Sequence, residues 1–472
     1  MFLSKLNRIR ARAQEQAQSL LGLGILLLVG GCASLPDTQF LSTRYSIQAA
    51  QFESARGPLS EKRSAALIAE LKSKSGDLDI LDKQISLEQE IVGNPLVLGN
   101  KVTLLQDGPA TYQAMFAAIA GAKDHINVES YIIEDGKIGQ RFADLLLEQQ
   151  AKGVQVNLIY DSVGAFETDQ SYFDRLTQAG VAVLEFNPIN PLNIRKVWSP
   201  NHRDHRKLLI VDGSTAFLGG INISNVYSSG SFFRKSKGED PPAKGWRDTD
   251  IQIDGPVVSE FQKLFMETWT TQHGPALAER NYYPPTKRQG RDIVRAIGST
   301  PNDPSSLIYL TLISALTNAE KQVSITNAYF VPDPQLLKAL LDAVARGVDV
   351  RLILPSRSDS ATVFHAGRSY YTELLQGGVK IFERQGAVLH AKTAIVDGVW
   401  SVVGSSNLDW RSALDNDEIN AVVLGQEFAR QMLDAFDQDL KASKAIELER
   451  WESRSPMLRL KEQAARLLGR LL

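Results

Sequence analysis

One structural plan is written twice along this chain of 472 residues. Residues 125–161, HINVESYIIEDGKIGQRFADLLLEQQAKGVQVNLIYD, and residues 322–355, QVSITNAYFVPDPQLLKALLDAVARGVDVRLILP, share one order of signals. Each reads as a strand ending at an aromatic residue, an amphipathic helix, a Gly-Val-x-Val step and a second apolar strand. Both copies continue alike, LTQAGVAVLEF at 176–186 matching LLQGGVKIFER at 374–384. The Pro-rich, polar stretch NYYPPTKRQGRD at 281–292 separates them, as a domain junction does. Two duplicated α/β domains follow, each a mixed sheet flanked by helices, packed about a pseudo-two-fold axis so that equivalent residues meet at one shared site. With 43% hydrophobic and 22% charged residues, the chain can bury the cores this requires.

Each copy then carries His-x-Lys-x4-Asp: HRKLLIVD at 205–212 and HAKTAIVD at 390–397. Histidine is scarce, six in all, so an accidental pair is expected on the order of once in a few thousand such chains. An apolar strand, an Asp-Gly turn and a second strand make a β-hairpin signal in both places. Alternate residues of a strand share a face, so His205 with Lys207, and His390 with Lys392, deliver an imidazole and an ammonium to one surface. Asp212 and Asp397 complete the motif from the turn, where a supporting role is expected, because Asp before Gly suits a turn whatever the chemistry. Beyond each hairpin come Gly219-Gly220 and Gly404-Ser405, small residues that let backbone approach a ligand, then Asn222 and Asn407, whose amides can donate to an anion. This set suits a phosphodiester. Among the other histidines, His202 is a candidate to line the cleft. A packing or surface role is expected for His125, His273 and His365. No His/Cys/Asp cluster has ligand spacing, so neither metal nor cofactor is expected.

These residues resemble the phospholipase D superfamily, whose signature is the doubled motif followed by a small pair and Asn; the likeness runs from about residue 98 to residue 440. The resemblance implies His205 as nucleophile, forming a phosphohistidine, and His390 as the acid that protonates the departing alkoxide and later deprotonates the acceptor. It implies Lys207, Lys392, Asn222 and Asn407 holding the phosphoryl oxygens without a metal. A carboxylate some 28 residues past the motif histidine often fixes the imidazole in this superfamily. Glu418 stands at that distance from His390, and Asp248 is its counterpart in the first half. A solvated acid at a strand start is the competing reading of both. GNKVTLLQDGPATYQAMFAAIAGAKDHINVESYI and GSSNLDWRSALDNDEIN further resemble bacterial cardiolipin synthases, which implies transfer of a phosphatidyl group onto phosphatidylglycerol, with phosphatidylethanolamine a candidate second donor. Hydrolysis to phosphatidic acid is the runner-up, then a phosphodiesterase or nuclease, then a lipid-binding protein without turnover. A net charge of −2 gives no global pull toward nucleic acid, and none is expected as a partner. One chain holds both motifs, so no oligomer is required.

The ends bear on location. Lys5, Arg8, Arg10 and Arg12 precede LLGLGILLLVGG at 20–31, which is followed by Cys32, the one cysteine. A basic start, a short apolar run and small residues have the layout of a secretory signal. Val29-Gly30-Gly31-Cys32 resembles the bacterial lipobox, implying residues 1–31 as a cleaved lipoprotein signal and acylation at Cys32. An uncleaved anchor is the other reading. Lipid anchorage to a membrane facing the periplasm is the expectation, with Ala33 favouring the outer membrane. Residues 32–95 are expected to be a tether and a helical lead-in (about 60–71), 96–280 the first domain, 281–295 the linker, 296–440 the second domain, and 441–472 an amphipathic tail. That tail either lies in a bilayer interface or caps the core. Residues 227–246, with Arg234, Lys235 and Lys237, are either a lid or a surface loop.

Overall fold

The computed structural model describes Leu35, Pro36, Thr38 and the chain from 51 to 472, except 77, 190–198, 200, 232–244, 302, 304 and 305. Cys32 with the signal-like segment, and Arg234, Lys235 and Lys237, lie outside the described residues. Both copies of the repeat belong to one unit, Asp37–Leu472.

Two lead-in helices, α1 (Glu61–Ser75) and α2 (Ile80–Val92), precede the repeats; the second is one that the sequence reading did not anticipate. The first half then runs β1 (Leu96–Gln106), α3 (Asp107–Ala120), β2 (His125–Ser130), α4 (Lys137–Ala151), β3 (Gln155–Asp161), a short helix at Gln170–Gln178, β4 (Ala182–Phe186), β5 (Lys207–Val211), β6 (Thr215–Gly219), β7 (Thr249–Asp254) and α5 (Val258–Thr271). The second half repeats it as β8 (Asp292–Ser299), α6 (Leu307–Asn318), β9 (Gln322–Asn327), α7 (Pro334–Ala345), β10 (Asp349–Pro355), α8 (Ala361–Arg368), β11 (Lys380–Arg384), β12 (Lys392–Val396), β13 (Trp400–Gly404), β14 (Asn416–Leu424) and α9 (Gln426–Lys441). A last helix, α10, spans Pro456–Leu467. Because β8 starts at Asp292, the junction ends earlier than the expected residue 295.

Pairing is the same in both halves. The first sheet runs β1-β7-β6-β5-β2-β3-β4 and the second β8-β14-β13-β12-β9-β10-β11, with β2-β3-β4 and β9-β10-β11 parallel and the other neighbours antiparallel. The parallel strands are those joined through helices, as a crossover requires. β1 pairs antiparallel with β8, so the two sheets meet along their first strands. One apolar core spans both, with Ile210, Leu218 and Ile251 of the first half in the same cluster as Ile395, Val403 and Ile419 of the second.

The two hairpin turns explain the motif aspartates. Asp212 and Gly213 have φ of 50° and 58°, Asp397 and Gly398 of 52° and 66°. Ser214 N–H and Val399 N–H close the turns on the carbonyls of Val211 and Val396. This is the I′ turn of a hairpin, where Asp-Gly is favoured. The carboxylates face backward: Asp212 accepts from the backbone N–H groups of Lys123, Asp124 and His125, and Asp397 from those of Glu320, Lys321 and Gln322, at 2.7–3.2 Å. Each therefore ties the hairpin to the start of the neighbouring strand. They sit at the far end of β5 and β12 from the histidines, away from the reacting residues, and hold the strand that carries Lys207 or Lys392.

Candidate active site

His205 and His390 lie two residues upstream of β5 and β12, which begin at Lys207 and Lys392, on the edge where the halves meet. The short strand Arg203–Asp204 pairs parallel with Asn416 and Asp417 of β14. Arg247 and Leu389 form the equivalent bridge on the other side. His205 N–H donates to the Asp417 carbonyl at 2.9 Å, and His390 N–H to the Arg247 carbonyl at 2.7 Å. Each motif is thus docked on the strand that carries the other half's carboxylate.

The consequence is a crossed pairing. His205 Nδ1 lies 3.0 and 3.1 Å from the two oxygens of Glu418, and His390 Nδ1 lies 2.7 Å from Asp248 Oδ2. Spacing along the sequence had matched Glu418 to His390 and Asp248 to the first half; the structure exchanges them, because the contact is made by the docked halves and not within one. Both acids are fully buried, and neither is a solvated strand-start residue. Burial alone would raise Glu418, but the imidazole of His205 beside it prevails and brings it down to about 2. Asp248 is likewise held below the usual range by His390, against its burial. Both therefore stay ionised and accept, which puts the imidazole proton on Nδ1 in each ring.

The two imidazoles differ in their remaining contacts. Burial pulls His205 down to about 4, against the Glu418 charge, so the ring is neutral at pH 7. Among the described residues no hydrogen bond occupies its Nε2. Lys207 instead donates to the His205 carbonyl at 2.6 Å. His390 is also lowered, by burial and then by Lys392. Here Lys392 Nζ stands against the ring, 3.0 Å from Nδ1 and 3.1 Å from Nε2, and also donates to the His390 carbonyl at 2.5 Å, with the Tyr227 hydroxyl 3.1 Å from Nδ1. Burial lowers Lys207 to about 7 and Lys392 to about 8. Lys392 also bears on Lys207, and each lysine on the opposite histidine, which places both pairs at one site. Two lysines beside the reacting rings give an anion its donors.

Aromatic rings frame it. Tyr131, just past β2, stands 5.2 Å edge-on to His205 with Lys207 over its face at 5.2 Å. Tyr329, just past β9, stands 6.1 Å from His390 with Lys392 at 6.0 Å. Trp246 lies 5.3 Å from His390 and 5.6 Å from Tyr227. Of these, only the strand-end aromatics left a signal in the repeat pattern. Tyr227 and Trp246 flank the segment read as a lid or loop, and nothing in their spacing marks them.

The small pairs prove to serve the acids, not a ligand. A Cβ at Gly220 would strike the Asp248 carboxylate, and one at Gly219 that of Asp250. In the second half Ser405 occupies the place of Gly220 and its hydroxyl donates to Glu418 Oε2, while Ser412 Oγ donates to Oε1 at 2.6 Å. Asn222 is buried, its Oδ1 accepting from Ile132 N–H at 3.1 Å and its amide reaching the Tyr227 hydroxyl at 3.4 Å. Asn407 Oδ1 is buried with no partner among the described residues.

The other histidines stand apart from the reacting pair. His202 binds Asp417 at 2.7 Å against Phe186. His125 packs on Tyr282, His365 on Phe364, and His273 adopts a φ of 54° after α5. No His, Cys, Asp or Glu group among the described residues has the arrangement of a metal site.

The family described as cardiolipin synthase, PLD-like domain, matches residues 115–230 and 312–440, one segment in each half. A cardiolipin synthase of Halalkalibacterium halodurans is 34% identical over 388 residues, covering 82% of this chain and 75% of its own. The cardiolipin synthase A of Pseudomonas aeruginosa is 36% identical over 380 residues, covering 80% and 74%. The chain belongs to the cardiolipin synthase family of phospholipase D-like proteins. It is an enzyme of that superfamily, a phosphatidyl transferase. The fold is shared with the phosphatidylserine synthase of Haemophilus influenzae, with a TM-score of 0.60 at 15% identity over 83% of this chain and all of that one. The polyphosphate kinase of Porphyromonas gingivalis matches at a TM-score of 0.50 and 13% identity, over 74% of this chain and 49% of its own.

Proposed function

We propose that the enzyme moves a phosphatidyl group onto a hydroxyl of phosphatidylglycerol through a phosphohistidine on His205, making cardiolipin. The observation that carries the assignment is the difference between the rings: His205 Nε2 has no hydrogen-bond partner among the described residues while its Nδ1–H is fixed on Glu418, whereas Lys392 stands within 3.1 Å of both ring nitrogens of His390. The donor phosphate binds between Lys207 and Lys392 and draws Lys392 off His390. A proton taken up from solvent as the anion binds converts His390 to its imidazolium; His205 Nε2 then forms a P–N bond, the P–O bond to the leaving alkoxide breaks, and His390 Nε2–H gives that proton to the alkoxide. In the second step the acceptor oxygen bonds phosphorus, its proton passes to His390, and the P–N electron pair returns to His205. Lys207, Lys392, Asn222 and Asn407 would stabilise the charge on the phosphoryl oxygens. Two carboxylate–histidine pairs of opposite origin, Glu418–His205 and Asp248–His390, serving one phosphorus need no metal in this scheme.

Mixing the purified protein with phosphatidylglycerol, with and without phosphatidylethanolamine, and reading lipid products by mass spectrometry tests the proposal. Cardiolipin with released glycerol supports it; added ethanolamine would name the second donor. Phosphatidic acid alone would make the protein a hydrolase and sink the transfer reading.

The same proposal includes a membrane surface, reached through acylated Cys32 and the tail. No helix among the described residues is long and apolar enough to cross a membrane. α10 packs on α8, with buried Glu462 held by Arg454 at 2.8 Å, so the tail does cap the second half. It also leaves Met457, Leu460 and Leu467 64%, 65% and 86% exposed, on one helical face beside Arg459 and Lys461, which suits an anionic interface. Cell fractionation of Cys32→Ser should find the protein released from the periplasmic face of the membrane; retention would refute acyl anchoring.

A further inference from the structure

Beside Lys392 a cavity of about 50 Å³ enters the second half between α6 and the sheet. Its walls are mainly apolar, with Ile308 and Leu312 of α6 and Leu336 of α7 among them, and Lys392 and Asn407 stand where it adjoins the reacting residues. Three polar atoms in this wall are buried and have no hydrogen-bond partner among the described residues: Asn407 Oδ1, Asn420 Oδ1 and Thr311 Oγ1. The residues that bear them are 8%, 8% and 2% exposed.

In the first half the equivalent groups are engaged by neighbouring polar groups. The hydroxyl of Tyr112 on α3 donates to the Asn222 carbonyl at 2.6 Å, Ile132 N–H occupies Asn222 Oδ1, and Asp250, the counterpart of Asn420, accepts from Ile221 N–H at 3.1 Å. In the second half Tyr309, the counterpart of Tyr112, donates to Asp333 at the start of α7 instead, at 2.8 Å. The space beside Asn407 is left unfilled.

The lining selects the occupant. Two amide oxygens only accept, so the guest must bring hydroxyl or N–H donors. A hydrocarbon chain would leave all three atoms unpaired, at about 1–3 kcal/mol each, and a volume of a few water-sized positions is too small for a long one. Apolar walls with a few convergent polar atoms fit the carbons and hydroxyls of a small polyol. We propose that this cavity is the acceptor subsite, holding a neutral glycerol-like polyol whose hydroxyls pair with Asn420, Thr311 and Asn407 while one hydroxyl oxygen faces the phosphorus. The inference rests on the transferase reading and adds where the second substrate sits. In the step it serves, the polyol oxygen forms the new P–O bond, the P–N bond to His205 breaks with its electron pair returning to Nε2, and the hydroxyl proton goes to His390. The walls also keep water from the competing attack.

One donor supplies every arm of the test. Vesicles of phosphatidylglycerol are incubated with the full-length enzyme and labelled free glycerol. Labelled phosphatidylglycerol reports attack by free polyol, cardiolipin attack by lipid-borne polyol, and phosphatidic acid attack by water. Asn420→Leu and Thr311→Val are each expected to lower the polyol-to-water ratio at least tenfold, and Thr311→Ser, which keeps the hydroxyl, to restore it. Because the ratio divides one phosphoenzyme among acceptors, a general loss of folded enzyme does not move it. A fall in both polyol products supports the subsite for either source, and a fall in one identifies the source. An unchanged ratio overturns the subsite while leaving the transferase intact, as does a ratio that follows acyl chain length instead of the polyol. Phosphatidic acid as the sole product of the wild-type enzyme overturns the transferase reading itself.

Discussion

In the first half the asparagine loop is bonded shut, with Asn222 held by Ile132 and Tyr227 and Tyr112 bonded across it; in the second the Asn407 backbone N–H donates to Ser412 but its side-chain Oδ1 is left without a partner among the described residues, beside a cavity. The acids differ in the same sense of division. Glu418 is gripped by two serine hydroxyls and at 3.4 Å by Asn416, and it holds His205. Asp248 lies against Gly220, which brings no side chain, accepts from Thr249 N–H, and holds His390. A ring that must present a lone pair along one line gains from a carboxylate fixed at several points. A ring that carries a proton between two oxygens gains from looser surroundings. Duplication thus supplied two equal His-x-Lys sites, and the groups behind them have made one rigid and the other open.

The largest expected effect separates the two rings. His205→Ala should lose essentially all turnover and form no phosphoenzyme, whereas His390→Ala should still be phosphorylated from a donor with an activated leaving group and then stall, since no base remains for the acceptor. The loss of a positioned acid or base costs on the order of 10²–10⁴ in rate. Rapid acid quench with a labelled headgroup donor reads the difference. Label that survives in the His205 variant and vanishes in the His390 variant would reverse the roles of the halves.

A smaller effect sharpens the same contrast through pH. Both lysines have folded values below their ordinary one, about 7 for Lys207 and about 8 for Lys392, so the empty site binds fewer protons than free lysines would. An anion stabilises the ammonium forms and raises both values on binding. Its binding therefore takes up protons, and affinity should fall as pH rises, first through about 7 and then through about 8, by up to tenfold per unit for each lysine. Titration calorimetry with a monoanionic alkyl phosphonate ester, in buffers of different ionisation heat, measures the uptake. Lys207→Met should remove the step at lower pH and leave the other. Affinity that is flat from pH 6 to 9 would mean both lysines are already charged in the empty enzyme.

The repeat, the hairpins with their Asp-Gly turns and the residues that meet at the site were legible because they depend on local pattern: period-2 strands, a helix between them and φ > 0 at residues 212–213. The crossed acids were not. Glu418 and His205 are 213 residues apart, and their contact follows from Asp417 pairing with Asp204 across the interface, which no periodicity encodes. Ser405 and Gly220 looked like room for a ligand because smallness has one sequence signature whether it admits substrate or a neighbouring carboxylate. Tyr227 and Trp246 come from the edges of the chain segment between β6 and β7, where sequence offers no period to place them.

The asparagines give the smallest and most discriminating test of the division between halves. Asn222→Ala strips the acceptor from Ile132 N–H and a partner from the Tyr227 hydroxyl, both in a loop that is 1% exposed at Asn222. Leaving a buried donor bare costs about 1–3 kcal/mol, so urea unfolding should shift to lower denaturant as activity falls. Asn407→Ala removes an amide oxygen that has nothing to lose, so its unfolding curve should stay with the wild type or move slightly higher while activity falls as far. If instead the two variants are destabilised equally, Asn407 is a structural prop like its counterpart. The second half would then be closed in the working enzyme, and the asymmetry that assigns nucleophile to one side and acceptor to the other would lose its basis.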